Sequence, residues 1–365
     1  MRFGISTWQE PPAVECLPSD TTGAPEAKPL AAFKRRDADD PSELLRSGYL
    51  CRGGGLLLCG PTGVGKSSLV MQAMILWALG RECFGIEPPR PLSSLLIQSE
   101  NDDGDISEMR DGVISGLDLT PEEVQTALAN ITVALEDART GADFTSETLA
   151  PLLEKHRPDI VWIDPALAYL GGEASAQKDV GGFLRNLINP LLHRFECGGV
   201  IVSHTNKPPT GREKSNWQAG DFAYLGTGSA EWANWARAVL AIRSLGSNDV
   251  FELRAGKRGS RLGWHDADGQ RSYTRQIAHS QKGICWRDAN ADELPQTGRP
   301  KQHNIEELFD LLPPEGLAAS EWMKLAKSEC GISEAGFHRD RRALEKAKRV
   351  IRSKVIGKWQ PILKP

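Results

Sequence analysis

Gly60-Pro-Thr-Gly-Val-Gly-Lys-Ser-Ser68 is the stretch that decides how the rest of the chain is read. It fits the spacing G-x-x-x-x-G-K-[ST], with Gly60, four residues, then Gly65, Lys66 and Ser67. Leu56-Leu57-Leu58 before it predicts a buried strand. Leu69, Val70, Ala73, Met74 and Trp77 after it recur at helical spacing, and Gly80 is suited to end that helix. Strand, glycine loop and helix together form the context in which the spacing has meaning. Glycines let the backbone curl until successive N–H groups converge on phosphate oxygens, and the helix N-terminus adds partial positive charge. The predicted phosphate cradle comprises Gly60, Pro61, Thr62, Gly63, Val64, Gly65, Lys66, Ser67 and Ser68. Lys66 should reach the β- and γ-phosphates, and the Ser67 hydroxyl should ligate Mg2+.

At 365 residues the chain is long enough for one large domain and a smaller one. With 40% hydrophobic and 25% charged residues, it has the composition of a soluble globular protein. The net charge of −4 supplies no global field for nucleic acid, so any such attraction must be local. Seven scattered cysteines without a C-x-x-C pair argue against a zinc site or disulfide framework and fit a reducing cytoplasm. No apolar run approaches the roughly 18 residues of a membrane span. The opening MRFGISTWQEPP lacks the basic and apolar segments of a signal peptide.

Residues 1–44 read as an irregular arm, with Phe33–Arg36 and Ser42–Leu50 as short helical pieces. The arm is either a floppy leader or a subunit-docking segment. Leu95–Glu100 reads as a second strand ending in a carboxylate. Ligands collect at the carboxyl ends of parallel strands, so Glu100 is expected beside the phosphate loop, on an adjoining strand, where it can orient a water for attack on phosphorus. A helical stretch over 106–129 breaks at Leu117–Pro121. Thr120, Pro121 and Glu123 then restart it as N-cap, N1 and N3. Ile131–Leu135 is a short strand, and Thr145–His156 a helix. Asp159-Ile-Val-Trp-Ile-Asp164 is an apolar strand ending in an acid, and Asp164 can hold the Mg2+ shell. Val180–Phe195 is a helix. Gly198–His204 is a strand whose final His204 is expected near Asp164 and the γ-phosphate.

The long polar segment 208–227 is flanked by Lys207 and carries Arg212, Lys214, Trp217, Phe222 and Tyr224. It reads either as a contact for single-stranded nucleic acid or as a surface loop. Gly228–Arg237 reads as a helix leading to a strand at Ala238–Arg243, with another strand at Phe251–Arg254. Arg237, Lys257 and Arg258 are either solvated surface cations or groups that contact a neighbouring subunit's nucleotide.

Residues 288–302 form a polar linker to a separate small module. Its expected elements are a helix opened by Asn304 and Glu307 and running to Leu312, a second helix over Ser320–Glu329, a third capped by Ser333 and running to about Val350, and strands Val350–Val355 and Lys358–Leu363. Phe337, Leu344 and Ile351 are expected to face inward. Arg339, Arg342, Lys346 and Arg349 are expected to form one basic stripe. Three helices and a hairpin spell a winged helix-turn-helix with the third helix suited to a DNA major groove. The alternative is a protein-docking module.

Residues 45–285 resemble the RecA/DnaB superfamily of P-loop ATPases, most closely the RepA-type hexameric replicative helicases of plasmids and phages. GPTGVGKSS, LLIQSEND, IVWIDP, VIVSHTNK and GSAEWANWAR carry the likeness. It implies an α/β fold with a RecA-like, mainly parallel core over 45–287, with the winged helix-turn-helix at 303–365 as an addition to it. It also implies ATP and Mg2+ as ligands, Glu100 as catalytic base, Asp164 at the metal and His204 as the strand-end sensor. Arg237 resembles the trans-acting finger, and Lys257 and Arg258 the basic pair of a late hairpin. The expected partners are single-stranded DNA in a ring channel, duplex DNA at the winged module, further copies of the chain in a homo-oligomer such as a hexamer, and a primase or other replication protein. An ATP-gated DNA-binding regulator or recombination accessory that never unwinds is the alternative, and a monomeric small-molecule kinase a third reading.

Overall fold

The computed structural model describes residues 27–37, 39–205, 228–245, 250–294, 305–330, 332–353 and 357–362. It divides into two compact units, residues 1–294 and 295–365.

The first unit is built on a nine-stranded sheet. Before it comes a small hairpin of β1 (Glu43–Leu45) and β2 (Leu50–Cys51), where the sequence pattern suggested helix. Ser47 and Gly48 both take positive φ and reverse the chain there. Leu44, Leu45, Tyr49 and Leu50 are fully buried, so tertiary burial overrides local propensity. The helical turn expected at Phe33–Arg36 lies instead at Leu30–Ala32, and Phe33 is exposed.

The main sheet is β3 (Gly55–Gly60), β4 (Ser94–Gln98), β5 (Ile131–Leu135), β6 (Ile160–Asp164), β7 (Gly198–His204), β8 (Ala238–Ser244), β9 (Val250–Lys257), β10 (Thr274–His279) and β11 (Trp286–Asp288). Their spatial order is β11-β10-β9-β8-β3-β7-β6-β4-β5. The six strands from β8 to β5 are parallel, and β9, β10 and β11 extend the sheet antiparallel. This mixed α/β, mostly parallel sheet fits a RecA-like P-loop core. One expectation fails. β4 does not adjoin the phosphate-loop strand, because β7 and β6 lie between them. The chain skips two positions after β3 and fills them later, a rearrangement that strand patterns cannot reveal.

Both faces of the sheet are covered, which is why β3, β4, β6 and β7 are almost continuously apolar. One face packs α1 (Lys66–Ala78), α2 (Asp103–Gly116) and α3 (Pro121–Ala129). The other packs a helix over 141–156 (α4), a helix over 177–194 (α5) and the short α6 (Glu231–Trp235). Helix α1 is buried nearly all round, so its sequence shows little amphipathic contrast. Thr120 caps α3 with Glu123 answering, as its sequence foretold. Wide π-type turns at Phe144–Leu149 and Gly182–Ile188 lead into segments bearing Pro151 and Pro190, which lack the N–H an ordinary turn would use.

The second unit contains α7 (Ile305–Asp310), α8 (Ala319–Glu329), α9 (Glu334–Lys346) and a hairpin of β12 (Val350–Arg352) and β13 (Trp359–Pro361). An isolated bridge joins Leu317 to Trp359. Leu308, Trp322, Phe337, Leu344, Val350 and Trp359 make its core. Two expectations are corrected. Ile351 faces solvent while Val350 turns inward. Helix α9 ends at Lys346, and Lys348 takes a positive φ that reverses the chain. Arg349 therefore leaves the helical stripe. It pairs with Glu306 and lies over the Phe309 ring.

Candidate active site

The carboxyl ends of β3, β4, β6 and β7 meet at one edge of the sheet and bring five predicted residues together. Gly63 and Gly65 take φ of +77° and +85°, the left-handed region where a Cβ is strained. Gly65 caps α1 and has no side chain to occupy the helix N-terminus, which leaves that end suited to an anion.

Lys66 is only 5% exposed. Its Nζ donates to Pro61 O at 2.8 Å, Gly60 O at 3.1 Å and His204 Nδ1 at 2.9 Å. Burial pulls its pKa down, while Asp164 and Glu100 act to raise it. A ring nitrogen that accepts from the ammonium carries no proton itself, which leaves Nε2 as the donor of the ring. That nitrogen lies 3.8 Å from Glu100 Oε1. Lysine, imidazole and carboxylate thus form a chain across the edge, even though β4 is three positions from β3 in the sheet.

Ser67 Oγ donates to Asp164 Oδ2 at 2.8 Å. Asp164 is 4% exposed, and burial raises its pKa against the pull of Ser67 and Lys66. A hydroxyl and a buried carboxylate at this spacing, with glycine-framed amides beside them, are hard oxygen donors that fit Mg2+ and a polyphosphate.

Gln98 was missed in the sequence reading, although a polar residue at the end of an apolar strand is a signal. It is buried. Its amide reaches Asp164 Oδ2 at 3.5 Å, and its carbonyl accepts from the main chain of Ser99 and Glu100. Trp286, which bonds the phosphate loop and the α1 residue Gln72, left no local trace.

The later cations lie elsewhere. The Arg237 N–H donates to Gly55 O, at the opposite edge of the sheet from Gly60. Gly60 is five residues further along β3, roughly 17 Å at about 3.3 Å per residue. Lys257 Nζ donates to the carbonyls of Ala233, Asn234 and Ala236 at the end of α6. Arg258 donates to Gly48 O. In the second unit, Arg342 and Lys346 are exposed on α9, and Arg339 is exposed but paired with Asp340. Lys207, Arg212 and Lys214 lie outside the described residues. Among the described residues, no helix is long and apolar enough to cross a membrane.

No curated protein matches the chain. A family model described as an AAA domain matches residues 24–210, just over half of the chain and a span holding the phosphate loop, Glu100, Asp164 and His204. The family implies nucleotide binding. The chain belongs to this AAA-domain family of P-loop ATPases.

Proposed function

We propose that this ATPase is a DNA-dependent oligomeric motor of the RepA-like replicative helicase kind, from a plasmid, phage or other mobile element, with a winged-helix DNA-binding domain at residues 303–365 joined by the linker 288–302. In this reading Lys66 and the amides of Gly60–Ser68 hold the triphosphate of ATP, and Ser67 and Asp164 hold Mg2+. Glu100 orients the attacking water and accepts its proton. His204, between Lys66 and Glu100, responds to loss of the terminal phosphate. Bound Mg2+ would neutralise charge developing on the phosphate oxygens.

One observation carries the oligomeric part. Arg237 is exposed at the sheet edge opposite its own phosphate loop, so it can meet a phosphate only on a second copy. Lys257 donates to the carbonyls of Ala233 and Ala236, just before that arginine. Three helices and a hairpin in the second unit, with Arg342 and Lys346 outward on α9, support duplex binding there. Lys207, Arg212 and Lys214 remain the candidates for single-stranded DNA, and a primase remains the expected partner of such a motor.

The test is ATP hydrolysis with and without single-stranded DNA, together with displacement of a strand from a forked duplex. Stimulated hydrolysis with displacement is expected. Stimulation without displacement identifies an ATP-gated DNA-binding regulator instead. Hydrolysis indifferent to DNA at every salt concentration overturns the DNA-motor reading.

A further inference from the structure

Trp286 lies more than two hundred residues from the phosphate loop in sequence and directly against it in space. The connection runs through the antiparallel strands β10 and β11. Strand β9 reverses β8 and β10 reverses β9, so the end of β10 at His279 returns to the same sheet edge as Gly60. His279 then pairs with Trp286 across the turn.

Trp286 is 2% exposed, and its indole N–H donates to Gly65 O at 3.2 Å and to Ser68 Oγ at 3.1 Å. Ser68 Oγ itself donates to Gly65 O at 2.8 Å. One turn on, the Gln72 side chain accepts from Trp286 N at 2.6 Å and donates to Trp286 O at 2.9 Å. Gly65, Ser68 and Gln72 share one helix face by their three- and four-residue spacing. A single residue of β11 engages that whole face.

The consequence follows from peptide geometry. In a trans peptide the C=O and N–H of one unit lie in a shared plane and point in opposite directions. Gly65 O and Lys66 N–H belong to the same unit. Gly65 also sits at φ +85°, where glycine has little steric preference to hold that plane. Its carbonyl accepts the first helical bond of α1 from Leu69 N at 3.1 Å, and the Ser68 hydroxyl and the indole N–H add two further donors, which together keep the Lys66 N–H turned outward, toward the place an anion would occupy.

The same segment has a second attachment. Ile284 N donates to Gly112 O at 3.1 Å, and Lys282 pairs with Asp118 at 3.0 Å. A Cβ on Gly116 would fall 2.2 Å from Cys285 Sγ, and one on Gly283 2.0 Å from Gly112 O, so these glycines permit the close fit. Residues 282–286 therefore tie the phosphate loop to α2, the helix that begins just after Glu100.

We infer that Trp286 is a positioning residue for polyphosphate binding: its indole N–H reinforces the helical bond from Leu69 N in holding the Gly65–Lys66 peptide plane, so that the loop amides are aimed before the nucleotide arrives. This rests on the ATPase reading above. The experiment uses the full chain in three forms: wild type, Trp286→Phe, and a protein in which residue 286 alone is 3-benzothienylalanine, which keeps the bicyclic shape but replaces N–H with sulfur. Calorimetric titration with Mg-ADP and steady-state hydrolysis of ATP are measured beside nucleotide-free melting.

Loss of one buried hydrogen bond should weaken ADP binding and raise KM for ATP by about three- to tenfold. In the benzothienyl protein, kcat at saturation should stay close to wild type, and nucleotide-free melting should fall only by what one lost hydrogen bond costs. A purely structural role would lower melting and leave affinity intact. Wild-type affinity in the benzothienyl protein overturns the inference while leaving the ATPase reading standing, even if Trp286→Phe fails to fold. A wild-type chain that binds no ADP overturns both.

Discussion

Glu100 is an exposed carboxylate whose usefulness depends on a buried neighbour. Gln98 bonds the main chain of Ser99 and Glu100 with its carbonyl and turns its amide to Asp164, so the two acids share one support. The imidazole of His204 lies on the other side of Glu100. A glutamine at position 100 keeps the shape but cannot accept the proton of water. Glu100→Gln should therefore lower ATP hydrolysis by about 10²- to 10⁴-fold while ATP binding is retained, as phosphate release and nucleotide titration would show. Hydrolysis at the wild-type rate would remove Glu100 from the base role.

At the scale of elements, the amino ends of β4 and β6 are pinned by one acid. Asp159 accepts from Arg52 at 2.6 Å, from Arg90 at 2.8 and 3.0 Å, and from Ser93 N at 3.0 Å. Burial alone would raise its pKa, but these donors outweigh burial and hold it at about 2, below the unfolded value of 3.8. The sign follows directly. The stabilisation is fully present above the unfolded value and is lost as pH falls through the folded one. With the side chain 14% exposed, it amounts to about 2 kcal/mol. Asp159→Asn should therefore cost about that much in urea unfolding at pH 7, and the gap from wild type should close as the pH approaches 2. A gap independent of pH would assign the loss to packing instead.

For the whole molecule, the acid-rich carboxyl edge and Arg237 at the amino edge lie too far apart for one copy to use both. If adjacent copies share a site, Lys66→Ala spoils a copy's own cradle, whereas Arg237→Ala spoils only what it lends its neighbour. Each variant alone should be inactive. Mixing the two should restore hydrolysis above either one, because some interfaces then join an intact cradle to an intact arginine. A mixture as inactive as its components would show that the sites are not shared.

The glycine loop, the Asp164 strand and the capped helix at Thr120 were readable in the chain because each is set by local chemistry: φ > 0, a strand-end acid, a side chain answering its own backbone. The nucleotide cradle and the acids Glu100 and Asp164 could thus be named from sequence. The order of the strands could not, because β4 and β6 are equally apolar wherever they sit. The β1–β2 hairpin, the exposure of Ile351 and the departure of Arg349 from α9 were likewise decided by burial and by a reversal at Lys348. Trp286 meets the phosphate loop and Gln72 only because the antiparallel strands β9 and β10 carry the chain back to its starting edge. Short-range geometry is written in neighbouring residues, whereas which distant residues share a surface is settled by how the sheet closes its hydrophobic faces.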